Sequence, residues 1–412
     1  MTTMADLSVL NVLLHGHQIG TLTRLSDDRT VFAFTENYIE DTNRPTLSLS
    51  FKAKTTGELI TDIRRTRVKV PPFFSNLLPE GPLRKYLAER ASVNEKREFF
   101  LLWVLGQDLP GAIQIIPEDA ASMPDEEVPS EESSETASNE SLMRFSLAGV
   151  QIKFSAAKSA TGGLTIPTQG VGGSWIVKLP SATYPGVPEN EFLMMRLAQE
   201  VGIDVPEIQL LETSEIDGIP ASVGKLGGRS FAIKRFDRDD DNSGVHIEDF
   251  AQVFSVYPED KYDKASYRNL AEVIDAEVGE EGTVEFVRRL VFNALIGNAD
   301  MHLKNWSLVY PDTRTPELAP AYDFVSTIPY IDDQKTALKF ARSKNMTDMN
   351  EESIRYFASK AKLPEKVTVD AALETVERFR NIWPKLKGEL PMHKDVITAV
   401  EKHIETIPIA NG

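Results

Sequence analysis

A strongly acidic stretch divides this chain and limits how it can fold. Residues 118–140 (EDAASMPDEEVPSEESSETASNE) carry nine acidic side chains and no basic or aromatic one. Such a segment cannot bury enough apolar area to order itself. We therefore predict a solvated linker or long loop over residues 118–142, with folded parts on either side. A regulatory or DNA-mimicking acidic arm is the alternative interpretation.

The composition excludes several classes of protein. The 412 residues have no run of about 18 to 20 apolar residues and no N-terminal signal-peptide pattern, which predicts a cytoplasmic protein without a membrane partner. Zero cysteines exclude disulfides and thiolate chemistry, and the six histidines are scattered, so any metal should be bound by oxygen. The net charge of −17 argues against direct contact with nucleic acid, so DNA would be reached only through a partner.

The part before the linker, residues 1–117, is predicted to be a small β-rich module. Alternating apolar residues indicate strands over Leu7–Leu14 and Thr30–Phe34, with a turn at His15–Gly20 between the first strand and the next. Helical patterns follow over Leu83–Arg90 and Lys96–Leu105, and we expect them to pack on the sheet.

After the linker the chain alternates strands and helices and then becomes mainly helical, which predicts an α+β fold. Over residues 143–240 we expect a strand at Trp175–Leu179, a helix at Glu191–Val201, and a hairpin that joins Ile219–Leu226 to Ser230–Phe236 through Gly227-Gly228. These elements would form a nucleotide-holding part. Residues 241–412 would form a helical lobe.

One loop of the helical lobe holds the residues that phosphoryl transfer needs. Residues 297–305 (GNADMHLKN) lie between a helical pattern over Val284–Leu295 and a strand over Trp306–Tyr310, so they are mounted on rigid elements. Asp300 can orient or deprotonate a hydroxyl, while Asn305 and Asp323 offer oxygens to magnesium. His302 and Lys304 supply positive or hydrogen-bonding groups near phosphate.

The spacing within this loop matches a known arrangement. Asp300 and Asn305 are five residues apart, as are the aspartate and asparagine of the kinase sequence His-Arg-Asp-x-x-x-x-Asn. Asp323 follows eighteen residues later, where a magnesium-binding aspartate would be expected, although no complete Asp-Phe-Gly is present. The alternative is that Asp300 caps a turn and that Tyr322-Asp323 caps a helix.

Lys178 is a second candidate, because it lies on an otherwise apolar strand and an unpaired buried ammonium is costly. ATP phosphates would supply the anion, and Glu191 at the start of the next helix would hold the lysine as in ordinary protein kinases. The alternatives are a surface-facing lysine and a glutamate that only interacts with the helix dipole.

Several segments together resemble, in order and approximate spacing, the HipA family of bacterial toxin kinases. These are residues 145–153 (FSLAGVQIK), 176–180 (IVKLP), 234–238 (KRFDR), 297–305 and 321–323 (AYD), with 77–80 (LLPE) and 106–117 in the N-terminal module. The resemblance spans nearly the whole chain. It implies a two-lobed fold similar to that of phosphatidylinositol-kinase-like protein kinases, with a β-rich N-terminal part and a helical catalytic lobe.

The resemblance also implies a function and partners. The expected activity is that of a serine/threonine protein kinase using ATP and Mg²⁺, toxic through phosphorylation of an aminoacyl-tRNA synthetase, commonly the glutamyl enzyme. The resulting translation arrest would promote persistence. A small helix-turn-helix DNA-binding antitoxin, similar to HipB, would neutralise the toxin and link it to DNA.

Residue roles follow from the matching motifs. Backbone N–H groups of the loop over Ala148–Lys153 are implied to cover the ATP phosphates, and Ser146 to be an autophosphorylated serine whose phosphate switches the kinase off. The backbone of residues 234–236, at a hinge between the lobes, would contact adenine, and Phe236 would pack on its ring. For Lys234 and Arg235 the alternative is that their side chains lie in solvent on an edge strand. The implied nucleotide-binding residues are Ala148, Gly149, Val150, Gln151, Ile152, Lys153, Lys178, Lys234, Arg235, Phe236, His302, Lys304, Asn305, Tyr322 and Asp323.

Two other functions stay open from the sequence. One is a kinase-like binding module that acts mainly with its antitoxin as a corepressor; the presence of Lys178, Asp300, Asn305 and Asp323 together disfavours it. The other is a small-molecule or lipid kinase, which uses the same phosphate chemistry.

Overall fold

The computed structural model describes residues 8–118, 153–158, 164–166, 172–181, 183–219, 227–389 and 393–412. Most of the predicted linker, the autophosphorylation candidate Ser146 and the predicted phosphate-loop residues Ala148, Gly149, Val150, Gln151 and Ile152 lie outside these ranges. Within them, no helix is both long and apolar enough to cross a membrane.

The N-terminal part is built on a five-stranded antiparallel sheet with the strand order β4-β3-β2-β1-β5. Every second residue of β1 is buried, as the alternation in sequence predicts. The turn after β1 is shorter than predicted, because β2 already begins at His17. The strands are β1 (Ser8–Leu14), β2 (His17–Arg24), β3 (Arg29–Phe34), β4 (Thr66–Arg67) and β5 (Ile113–Pro117).

Short helices cover this sheet and complete an aromatic-rich core. They are α1 (Glu36–Glu40), the 3-10 turn Leu49–Phe51, α2 (Pro72–Ser75), α3 (Gly81–Ala91) and α4 (Glu98–Leu105). Phe73 and Phe74 of α2 and Phe100 of α4 are fully buried in that core. The two predicted helices therefore exist, α3 and α4, with boundaries within about two residues.

A second five-stranded antiparallel sheet follows, with the order β7-β6-β8-β10-β9. Its elements are β6 (Lys153–Lys158), β7 (Leu164–Thr165), β8 (Trp175–Lys178), α5 (Val187–Val201), β9 (Ile208–Glu212) and β10 (Arg229–Lys234). The predicted hairpin through Gly227-Gly228 was wrong, because both edges of β10 pair with other strands, β8 and β9.

The C-terminal part is mainly helical and surrounds the largest core. A three-stranded antiparallel sheet, in the order β11-β12-β13, and a small β14-β15 pair lie among the helices. The strands are β11 (His246–Asp249), β12 (Ser307–Tyr310), β13 (Glu317–Leu318), β14 (Lys335–Phe340) and β15 (Ser343–Asn345). The helices are α6 (Phe250–Val253), α7 (Tyr267–Glu277), α8 (Glu280–Leu295), α9 (Glu351–Ala361), α10 (Glu365–Glu389), α11 (Lys394–Thr406) and α12 (Pro408–Asn411), with 3-10 turns at Thr213–Glu215, Pro258–Asp260, Leu303–Asn305 and Met346–Asp348.

Buried polar contacts fasten the N-terminal part to the rest of the chain. Glu248 on β11 is fully buried and accepts hydrogen bonds from Ser48, from the backbone N–H of Leu49 and from Tyr310. At a second place the carboxylate of Asp237 accepts a hydrogen bond from the N–H of Gly111 at 2.8 Å. The N-terminal part is therefore docked by satisfied hydrogen bonds and not only by apolar contact.

Candidate active site

The predicted catalytic loop begins where the buried helix α8 ends. Gly297 has a φ of +67°, and a Cβ at this position would come within 2.6 Å of the Ile328 side chain. Its carbonyl accepts hydrogen bonds from both the N–H and the hydroxyl of Thr327, at 3.1 and 3.0 Å. Glycine is therefore needed here both for the left-handed backbone and for space.

A buried asparagine, Asn298, holds the next residues of the loop in place. Asn298 is 1% exposed, donates from Nδ2 to the side chain of Asn293 on α8 at 2.8 Å, and accepts the backbone N–H of Asp300 at 3.0 Å. Sequence reasoning did not single it out, although an amide residue directly after a helix-ending glycine is a signal for such a local bond. Asn298 thus ties the position of Asp300 to a rigid helix.

Asp300 is buried, and both its side chain and its backbone carbonyl accept hydrogen bonds. Tyr262 donates its hydroxyl to Oδ1 of Asp300, and Nδ2 of Asn305 donates to the Asp300 backbone carbonyl at 2.8 Å. Burial raises the pKa of Asp300 to about 7, against the opposing effects of the Tyr262 hydrogen bond and the Lys261 charge. The candidate base and the candidate magnesium residue are therefore joined directly. Tyr262 gave no signal in the sequence.

His302 is 2% exposed, and neither ring nitrogen has a hydrogen-bond partner among the described residues. Its ring meets the ring of Tyr262 edge-on, with the centroids 5.0 Å apart. Burial, together with the nearby Lys261 charge, holds the pKa of His302 well below its ordinary value. Of the two roles predicted for His302, this environment favours the neutral hydrogen-bonding one.

Lys304 points toward the N-terminal part of the chain. Its Nζ lies 2.8 Å from Oε1 of Glu80, donates to the carbonyl of Asn76 at 3.0 Å, and lies 4.0 Å from Oδ2 of Asp249. Its charge is therefore already balanced by protein carboxylates. The sequence predicted a lysine that faces phosphate and gave no sign of these carboxylates.

Lys178 occupies the centre of a buried ion-pair cluster. Its ammonium donates to Glu191 on α5 and to Asp323, and all three side chains are at least four-fifths buried. Asp323 itself has a φ of +57°, an uncommon conformation for a non-glycine residue. Burial alone would raise the pKa of Asp323, but Lys178 and Lys153 outweigh it and lower that pKa to about 2. The sequence-predicted Lys178–Glu191 contact is therefore present in the structure.

A second lysine lies beside this cluster. Lys153 on β6 pairs in register with Lys178 on β8, so the two side chains lie next to each other on adjacent strands. Within the described ranges Lys153 has no carboxylate partner, and burial and the Lys178 charge lower its pKa, with Asp323 acting in the opposite direction. An anion at this position would balance its charge.

The backbone of the predicted hinge, residues 234–236, is only partly free to bind adenine. The N–H of Lys234 donates to the carbonyl of Glu207 and that of Arg235 to Ser174, both at 2.8 Å, whereas the N–H of Phe236 has no partner in the described structure. The side chain of Lys234 is partly exposed, and its Nζ lies 3.4 Å from Oδ1 of Asp240.

Arg235 is buried and belongs to an ion-pair cluster of the protein interior. It makes a bidentate contact with Asp237, at 2.9 and 2.7 Å, and its Nη1 lies 3.7 Å from Asp108. The structure thus does not bring the Lys234 and Arg235 side chains together with the catalytic loop.

Tyr322 connects the hinge to the catalytic loop. Its ring lies beside that of Phe236, with centroids 5.6 Å apart, and its hydroxyl donates to the carbonyl of Lys304 at 2.9 Å. The two rings form an apolar wall at the position where the hinge residues end. The aromatic ring of a nucleotide base could pack there.

The residues present fit a magnesium nucleotide. Oδ1 of Asn305 and Oδ2 of Asp323 accept no hydrogen bond within the part of the chain described, so both oxygens are free. No group of three or more His, Cys, Asp or Glu side chains in that part is arranged to hold a metal. Two protein oxygens suffice for magnesium when phosphate and water complete its shell.

Comparisons with known proteins show the family of this chain. Residues 10–116 match the family model of the HipA N-terminal domain, and residues 145–383 match that of the HipA-like C-terminal domain. The chain is 54% identical over 409 residues to the Sinorhizobium fredii protein named "Putative kinase Y4dM", covering 98% of each chain.

A more distant relative is named a toxin. The serine/threonine-protein kinase toxin HipA of Shewanella oneidensis is 26% identical over 352 residues, which is 76% of this chain and 75% of that protein. The fold is that of HipA in the solved complex of Shewanella oneidensis HipA, HipB and operator DNA, with a TM-score of 0.73, 22% identity, and coverage of 98% of this chain and 96% of that one.

Proposed function

This chain belongs to the HipA family, and we propose that it is an ATP-dependent serine/threonine protein kinase acting as the toxin of a type II toxin–antitoxin system. The observation that carries the proposal is the convergence of four residues from three segments. Lys178 pairs with Asp323, and Asn305 binds the backbone of Asp300. Asn298 joins the two pairs, because its Nδ2 donates to the Asp323 carbonyl at 3.4 Å and its Oδ1 accepts the N–H of Asp300. This arrangement supports a site that combines a base, a magnesium-binding pair and a phosphate-binding lysine.

In the proposed reaction Asp300 receives the proton of a substrate hydroxyl. Since Tyr262 occupies Oδ1, the hydroxyl would approach Oδ2. Its oxygen bonds to the γ-phosphorus of ATP while the bond from that phosphorus to the β,γ-bridging oxygen breaks, and ADP leaves with the electron pair. The proton stays on Asp300 until solvent removes it.

The nucleotide would be held by residues from both sheets. Magnesium, held by Asn305 and Asp323, would supply positive charge next to the phosphates. Lys178 and Lys153 would balance phosphate charge, and the backbone over residues 148–152 is proposed to cover the same phosphates. Phe236 would offer its free N–H to adenine and, with Tyr322, an apolar wall to the base.

The substrate, regulation and partner are proposed from the family. An aminoacyl-tRNA synthetase of the glutamyl type is the proposed target, and phosphorylation of Ser146 is the proposed off-switch. A HipB-like antitoxin would bind this chain and carry it to DNA, as in the related Shewanella complex of HipA, HipB and operator DNA.

The test is transfer of labelled phosphate from γ-labelled ATP and Mg²⁺ to this protein and to purified aminoacyl-tRNA synthetases. We expect label on Ser146, located by mass spectrometry, and on one synthetase. Label on a lipid or small molecule alone would indicate the other kinase class. No transfer, together with antitoxin-dependent operator binding, would indicate a corepressor.

A further inference from the structure

One carboxylate of the N-terminal part reaches the catalytic loop. Glu80 stands directly before α3, at the N-cap position, where the side chain of an aspartate or asparagine usually accepts an exposed N–H of the helix. Its side chain makes no such capping bond. Instead, Oε1 lies 2.8 Å from Nζ of Lys304, and Oε2 lies 2.8 Å from Nζ of Lys261. Both oxygens therefore bind the other part of the molecule.

The two lysines need this carboxylate. Their side chains are only 10% and 14% exposed, for Lys261 and Lys304 respectively. Apart from Glu80, the described structure gives Lys304 a backbone carbonyl of Asn76 and a carboxylate of Asp249 at 4.0 Å. Without Glu80, two ammonium groups would lie close together in a poorly solvated place, and they would repel each other.

Both lysines belong to segments that hold the candidate base, Asp300. Lys304 is four residues after Asp300 within the same loop, and its carbonyl accepts the Tyr322 hydroxyl. Lys261 directly precedes Tyr262, whose hydroxyl binds Asp300. In addition, Leu303 of the catalytic loop donates its backbone N–H to the Lys261 carbonyl at 3.3 Å. A shift of either lysine would therefore move a group that holds Asp300.

The segment that carries Glu80 is itself anchored. Nδ2 of Asn76 donates to the carbonyl of Val256 at 2.7 Å, and Gln252 donates to the carbonyl of Phe73 at 3.0 Å. Phe73 and Phe74 of α2 are fully buried. Glu80 is thus presented from a fixed backbone, as a positioning group must be.

We propose that Glu80 is a positioning residue of the kinase site: it holds Lys261 and Lys304 in place and so fixes the loop that carries Asp300. This inference rests on the proposed kinase function. It also assigns a role to the N-terminal part, which completes the active site of the C-terminal part.

The experiment compares autophosphorylation and ATP hydrolysis rates of the full chain with those of Glu80→Gln, Glu80→Asp and Glu89→Gln. Glu89 lies on α3, the helix that follows Glu80, in an exposed pair with Lys85, and serves as the matched control. We expect Glu80→Gln to lower kcat about tenfold or more, because a small misplacement of the base is costly, with KM for ATP changed less than about threefold. Glu80→Asp, which keeps the charge, should recover most of kcat.

Thermal unfolding shows whether each variant folds. If Glu80→Gln does not fold, the double variant Glu80→Gln, Lys261→Gln takes its place. The double variant removes one charge of each sign, while Lys304 still loses its carboxylate. The kcat of the double variant should also be low. A wild-type kcat in either variant, or a Glu80→Asp variant as inactive as Glu80→Gln, would overturn the proposal. An inactive wild-type chain would instead refute the kinase function itself.

Discussion

Lys178 and Asp323 form a buried ion pair that joins strand β8 of the second sheet to the loop after β13. Glu191 binds the same ammonium from α5. The pair places the candidate phosphate-binding lysine directly on the candidate magnesium ligand, and the predictions below follow from this arrangement and its surroundings.

Replacing Lys178 by Met should weaken nucleotide binding strongly. The carboxylates of Glu191 and Asp323 would then face each other without their shared cation, and ATP would lose a phosphate partner. We expect the affinity for Mg·ATP, measured by isothermal titration calorimetry, to fall about 100-fold, equivalent to about 3 kcal/mol. Lys385→Met on the exposed face of α10 is the control. Equal affinities of the two variants would contradict the account.

Tyr262→Phe should slow phosphoryl transfer while leaving the fold intact. The substitution removes the hydroxyl that holds Oδ1 of Asp300 but keeps the ring that packs edge-on against His302. We expect kcat for autophosphorylation to fall about tenfold with little change in KM for ATP. Tyr356→Phe, at a partly exposed position of α9, should behave like wild type. An unchanged kcat in Tyr262→Phe would remove Tyr262 from the site.

Gly297→Ala should destabilise the protein more than an alanine at another left-handed glycine. Gly16 has a φ of +77° with nothing within 4 Å of an added Cβ, so Gly16→Ala meets only the backbone penalty of about 1 kcal/mol. Gly297→Ala adds a contact of 2.6 Å with Ile328, and we expect a total loss of about 3 kcal/mol in urea unfolding. Equal losses would show that Ile328 moves away freely.

Glu248 should make stability depend on pH. Burial raises its pKa to about 7 from an ordinary 4.5, so the folded state binds the proton more tightly than the unfolded state. The stability that this proton supplies is complete below pH 4.5 and is lost as pH rises through 7. Glu248→Gln does not titrate, so its free energy of unfolding relative to wild type should rise by about 2 kcal/mol between pH 5 and pH 8. The exposed Glu352→Gln gives the baseline. A pH-independent difference would contradict the raised pKa.

Local sequence patterns predicted most elements near the site. The apolar spacing from Val284 to Leu295 gave helix α8, and the strand after the catalytic loop was also correct, within one residue. The α+β class is confirmed, and so is membership of the HipA family. These features follow from short-range periodicity or from ordered motifs, which a single sequence carries.

Contacts between distant segments could not be predicted in the same way. Glu80 and Tyr262 reach the catalytic loop from separate parts of the chain, and neither has a local pattern that indicates its partner. The Gly227-Gly228 hairpin was wrong for the same reason, since β10 pairs with strands on both sides that local turn chemistry does not specify. The individual nucleotide and metal roles, and the domain boundaries given from the sequence, stay predictions.

The central claim is that Asp300 acts as the base of an ATP-dependent protein kinase. Its most direct test is the transfer of labelled phosphate from ATP to this chain and to its target by Asp300→Asn, beside Asp332→Asn at an exposed position as the control. The account predicts that Asp300→Asn still binds Mg·ATP but loses both labels, a fall in rate of at least about 100-fold, while Asp332→Asn labels like wild type. Wild-type labelling by Asp300→Asn would contradict the account.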